Sequence, residues 1–88
     1  MKVRVVLIDG TYEDYADRKT GEGKTLDRDE FWAEVTGVGT LNIWRRHLDG
    51  STWEDGVSDF TDTVELVITY GTAGWVSVEG PRQDPARR

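Results

Sequence analysis

The chain is 88 residues long, carries 17 acidic against 11 basic residues for a net charge of −6, and has no cysteine. That length supports one domain, which buries only ~60% of its unfolded surface, and without cysteine neither a disulfide framework nor a thiolate metal site can reinforce it. So acidic a surface argues against tight binding to duplex DNA or anionic membranes and suits a basic protein partner.

The charge is uneven. The last eight residues, PRQDPARR, hold three arginines and one aspartate, so residues 1–80 carry 16 acids and 8 bases; between His47 and Pro81 there are seven acids and no Lys or Arg. No segment reaches the ~20 apolar residues that span a bilayer. The opening MKVRVVLIDG has too short an apolar run for a secretory signal. The expected location is cytoplasmic.

KVRVVLI alternates, with Val3, Val5 and Leu7 on one face and Lys2 and Arg4 on the other, as a half-buried strand does. Asp9-Gly10 then joins it to TYEDYAD, which reads as strand 2–8, a type I′ turn at 9–10 and strand 11–16. RKTGEGKT, 18–25, is a polar glycine loop. DRDEFWAEV has two readings. Asp27 with Glu30 three residues on is a capping-box pattern, and Phe31, Trp32 and Val35 would share a helical face. As a strand, Phe31, Ala33 and Val35 point one way and Trp32, Glu34 and Thr36 the other. Gly37 ends the segment after about two turns, too few for a self-supporting helix. Strand is preferred, with one short helix at 27–36 as the alternative.

TLNIWRRHL reads as a strand with Leu41 and Ile43 inward; Trp44 breaks the pattern, through a bulge or through cover on both faces. TVELVITY alternates most regularly, with Val64, Leu66, Ile68 and Tyr70 on one face. It is expected at the centre of the sheet, with Leu66 and Ile68 among the slowest amides to exchange. WVSVE closes the domain with Val76 and Val78 inward. The expected fold is mainly β, a small antiparallel meander or SH3-like barrel of five to six strands. It forms a single acidic domain over 1–80, with a disordered tail at 81–88.

Between TLNIWRRHL and TVELVITY stands LDGSTWEDGVSDFTD, residues 48–62, with five acids, Trp53 and Phe60. A connection of that length is usually functional. Read as a presented loop, it has Trp53 as an apolar centre, Asp49, Glu54, Asp55 and Asp59 as a charged rim, and Phe60 as the anchor to the core; the competing reading packs Trp53 as a lid over the barrel mouth. Its spacing fails as a calcium loop, because Trp53 falls where an oxygen ligand is needed. No metal or cofactor is expected. His47, the one histidine, follows Arg45 and Arg46 with no nucleophile motif around it, and reads as strand polarity or a surface hydrogen bond. No phosphate-cradling glycine pattern is present, and no enzyme activity is expected. Arg45 and Arg46 form the alternative site, an anion or nucleic-acid patch on a β-barrel binder. Trp32, Trp44 and Trp75 fill the core or cap its ends.

VRVVLIDGTYEDY and VITYGTAGWVSVE resemble the two ends of small proteins of unknown function encoded by actinobacteria and their phages. The turn GTAG departs from the Ala-Pro-Gly form of that group. The resemblance implies a small β fold and a phage or mobile-element setting, with the host cytoplasm as its location. In size and sign of charge the chain is also similar to acidic phage inhibitors of the anti-CRISPR and anti-restriction type, some of which mimic DNA. The expected role is a non-catalytic module that binds and inhibits a host protein with a basic surface. A virion assembly protein with a homo-oligomeric interface is the alternative.

Overall fold

Alternating β-branched residues place β1, Lys2–Leu7, between β2, Tyr12–Ala16, and β7, Trp75–Glu79, in an antiparallel sheet of order β2-β1-β7. A second antiparallel sheet has the order β3-β4-β5-β6, built from β3 (Arg18–Thr20), β4 (Thr25–Val35), β5 (Leu41–Thr52) and β6 (Ser58–Tyr70). This computed structural model describes residues 1–20, 25–52 and 58–83. The mainly-β class holds, with seven strands rather than five or six and no helix among the described residues. The two sheets share no strand, so the expected barrel closure is not seen.

Residues 27–36 are strand up to Val35, not helix. β4 pairs with β5 in unbroken register from Thr25↔Ser51 to Val35↔Leu41, and that ladder supplies what a two-turn helix would lack. The first hairpin also differs in detail. Gly10 N donates to Leu7 O (3.0 Å) and Leu7 N to Thr11 O (2.8 Å), while Gly10 takes φ +88° and no non-glycine residue has positive φ. A type I′ turn needs positive φ at both central residues; this is the three-residue loop that ends in a left-handed glycine. The same pattern recurs where Thr36 N donates to Thr40 O and Gly39 N to Thr36 O, each at 3.0 Å.

Asp17 is where the chain leaves one sheet for the other. Its backbone N donates to Met1 O (2.9 Å) and its Oδ1 accepts from Phe31 N (3.0 Å), tying both sheets together. Between the sheets lie Val3, Val5 and Val78 from one side and Ala33, Leu41 and Ile43 from the other, with Phe31, Tyr15, Tyr70, Leu7 and Trp75 packed around them. Trp75 Nε1 donates to Gly39 O (3.1 Å), and the Tyr15 and Tyr70 hydroxyls meet at 2.7 Å. Burial and that hydroxyl contact both push the Tyr15 phenol up. Gly80 lies against β1: at φ +118°, an added Cβ would stand 2.4 Å from Lys2 O.

The structure departs from further expectations for backbone reasons. β6 is an edge strand and β5 is interior. Within β6 the faces switch: Ile43 pairs with Ile68 but Trp44 with Leu66, so Val67 is an extra, bulged residue. Val64 and Leu66 therefore lie on the face opposite Ile68 and Tyr70, and Trp44 keeps the alternation of its own strand. Val76 is likewise the extra residue of a bulge against β1, where Val6 pairs with Ser77 and Leu7 with Trp75. It is 59% exposed instead of inward, while Val78 is buried. The fold also continues past residue 80, since Pro81 O accepts from Ala33 N (2.9 Å) and Arg82 Nη2 donates to Val78 O (2.8 Å).

Strand length decides where the core ends. β1 and β7 have 6 and 5 residues, about 20 Å at ~3.3 Å per residue, whereas β4, β5 and β6 have 11, 12 and 13. The short sheet covers only the half of the long one around Ala33, Leu41 and Ile43. The other half, from Asp27 to Glu30 and from Arg46 to Gly50, extends beyond it as an arm in which β3 also pairs with Asp27–Asp29, and the molecule measures 53 × 24 × 19 Å.

Candidate functional site

The arm carries most of the chemistry. Alternation puts Asp27, Asp29 and Phe31 of β4 on the same face as Asp49, His47 and Arg45 of β5, because directly opposed residues share a face. Asp29 is the centre of this face and the one buried charged residue among those described. Its Oδ2 accepts from Arg18 Nε (3.0 Å) and Nη2 (2.8 Å), and its Oδ1 lies 2.6 Å from His47 Nδ1. Burial raises the Asp29 pKa, but the hydrogen bonds from His47 and Arg18 outweigh it and leave the carboxyl below its ordinary value. An ionised carboxylate only accepts, so Nδ1 carries the proton. Nε2 then faces Asp27 Oδ1 at 3.9 Å and Asp49 Oδ2 at 4.0 Å. Arg18 Nη2 also donates to Asp27 Oδ1 (3.0 Å). Among the described residues no group of His, Cys, Asp and Glu is arranged to hold a metal ion.

This network is what sequence reading missed. His47 is not an isolated strand residue beside two arginines; it sits among three aspartates. Arg46 points to the opposite face. The signal available was the strand reading of 27–36 itself: once β4 is a strand turning back into β5, Asp27 and Asp29 must face Asp49 and His47.

The opposite face carries the rows Trp32–Trp44–Leu66 and Glu30–Arg46–Val64. Trp32 and Trp44 stack with centroids 6.3 Å apart. Trp44 Nε1 and Asn42 Nδ2 both donate to Glu34 Oε1, at 3.2 and 2.9 Å, and hold that carboxyl below its usual range. Trp32 is buried, and Trp44 and Trp75 half-buried.

The proposed binding loop is largely hairpin. Leu48–Thr52 belong to β5 and Ser58–Asp62 to β6, paired in register from Leu48↔Asp62 to Thr52↔Ser58. These residues carry no apolar alternation because the short sheet does not extend over the arm, so their strand character is hidden in a polar sequence. Trp53, Glu54 and Asp55 lie outside the described residues. Asp49 is exposed on the His47 face, and Asp59 pairs in register with Ser51. Phe60 is on the other face opposite Gly50 and is 49% exposed, so it does not anchor the segment to the core. Asp49 and Phe60 are therefore not brought together. Nor do Arg45 and Arg46 form one patch: they point to opposite faces, Arg45 pairing with Glu65 and Arg46 Nη1 with both oxygens of Asp62 at 2.6 and 2.7 Å.

What the arm does expose is β6. It ends the sheet, and Phe60, Val64, Leu66, Val67 and Ile68 along it are between 38% and 49% exposed. Among the described residues nothing pairs with its outer side. No helix of the described residues is long and apolar enough to cross a membrane. Comparison with known protein families, with curated protein sequences and with solved structures found no match to this chain.

Proposed function

We propose that this chain is a non-catalytic acidic binding module, of the phage accessory type, that engages and inhibits a host protein bearing a basic surface. The observation that carries the reading is the β6 side of the arm, where exposed apolar residues lie beside the carboxylates of Asp62 and Glu65. An apolar strip rimmed by charge marks an interaction surface. The Asp29–His47 pair supports the non-catalytic part. The His47 Nδ1 is taken up by the Asp29 carboxylate, itself held by Arg18, and its Nε2 faces the carboxylates of Asp27 and Asp49, the pattern of a structural charge network.

Affinity capture from host lysate with the wild-type chain and with a Val64→Ser/Leu66→Ser variant tests this. The expected outcome is one partner held by the wild type in a salt-sensitive manner and reduced at least tenfold with the variant, whose circular dichroism is unchanged. A partner retained equally by both would remove β6 as the working surface. The open edge also favours a second reading, an assembly protein that pairs through β6. Sedimentation velocity of the chain alone, across a concentration series, separates the two.

A further inference from the structure

Resting on the binding-module reading, we propose how the partner is held: the outer edge of β6 accepts an extended basic segment as an additional antiparallel strand. β6 is 13 residues long and terminates its sheet. From Ser58 to Leu66 it stays in plain register with β5, and only beyond Leu66 does the Val67 bulge distort it. That leaves about 30 Å of straight edge at ~3.3 Å per residue. It contains neither proline nor lysine, and its charged side chains are all acidic, so they guard the edge against another acidic strand and not against a basic one. A backbone ladder supplies affinity in such complexes, and alternate side chains supply specificity. Antiparallel addition continues the pattern of the sheet and is slightly the more stable per residue.

Charge selects the occupant. The ionisable residues of β6 are Asp59, Asp62 and Glu65, with no base among them. A second copy would set acids along both sides of the seam and add a net charge of −6 to another −6. A basic strand reverses both effects. Arg45 and Arg46 approach Glu65 and Asp62 from the β5 side, and the two carboxylates remain 46% and 50% exposed. Their remaining lone pairs can therefore accept from a partner across the outer seam. Asp62 and Glu65 lie on opposite faces. A matching antiparallel strand therefore places basic residues three apart, with apolar side chains opposite Val64 and Leu66.

The probe is the end-capped peptide Val-Lys-Val-Thr-Lys-Thr-Val, titrated into the isotopically labelled chain by NMR. Binding is expected to shift the amides of residues 60–66 and slow their exchange. A peptide N-methylated at alternate residues keeps the charge but cannot complete the ladder, and should bind at least tenfold more weakly. Glu in place of both Lys should weaken binding similarly, as should Asp62→Asn/Glu65→Gln in the protein. Equal binding of the N-methylated peptide would reduce the contact to charge alone and overturn strand addition. Equal binding of the Glu peptide, shifts centred away from β6, no binding at millimolar peptide, or dimerisation of the chain alone through β6 would also overturn it. A captured partner that depends on Val64 and Leu66 while the peptide fails would leave the module reading standing without this mode.

Discussion

At the scale of single residues, Asp29 is the position where charge, burial and geometry meet. Its side chain is only 9% exposed and receives hydrogen bonds from Arg18 and His47, so its pKa is lowered despite the burial that opposes ionisation. A depressed carboxylate pKa stabilises the fold fully above the unfolded value, near ~3.9. That contribution is lost as pH falls through the lower folded value. Asp29→Asn is therefore expected to lower stability at neutral pH by roughly 1.5–3 kcal/mol, the range for hydrogen bonds to charged groups. The difference from wild type should shrink when urea denaturation is repeated near pH 3. A gap that stays constant with pH would mean that Asp29 acts through packing and not through its charge.

At the scale of elements, the sequence was legible where apolar alternation runs without interruption. Val3, Val5, Leu41 and Ile43 were readable as core from period two alone, and all four are fully buried. The misreadings fall on two bulges. Val67 and Val76 each add one residue, and one extra residue exchanges the faces of everything beyond it. Valine suits any strand position, so composition gives no warning of either bulge. The arm was missed for another reason. Alternation reports a boundary between core and solvent, and Leu48, Asp49 and Gly50 stand outside the buried core. The Asp29–His47 contact was unreadable until the β4–β5 register was known. The switch of faces has a measurable consequence. Ile43→Ala should cost roughly 2–5 kcal/mol, as truncations in a closed core do. Leu66→Ala, which removes an exposed cross-strand neighbour of Trp44, should cost about 1 kcal/mol or less. Chemical denaturation of the two variants checks this, and equal losses would place Leu66 inside the core and the bulge elsewhere.

At the scale of the whole molecule, the Cα radius of gyration is 15.7 Å, against about 12 Å for a compact domain of this length. The excess is the arm, and it divides the chain energetically. Around Leu41 and Ile43 each backbone hydrogen bond is backed by buried apolar area from two sheets. Around Arg28, Glu30, Leu48 and Thr61 the ladder is backed mainly by side-chain ion pairs such as Arg28–Glu30 along β4 and Arg46–Asp62 between β5 and β6, most of them partly exposed. Exposed ion pairs contribute at most ~1 kcal/mol each and weaken with salt. Native-state hydrogen exchange should therefore resolve two tiers. Amides of Val3, Val5, Ala33 and Ile43 should exchange only through global unfolding. Those of Arg28, Glu30, Arg46 and Leu48 should open at lower free energy, with a smaller dependence on denaturant and earlier loss at high salt. A lower-stability arm is what a strand-accepting surface requires, since its edge must adjust to an incoming segment while the two-sheet core holds. If both sets of amides fell on one isotherm, the arm would be as cooperative as the core, and apolar contacts along it would have to contribute far more than their exposure allows.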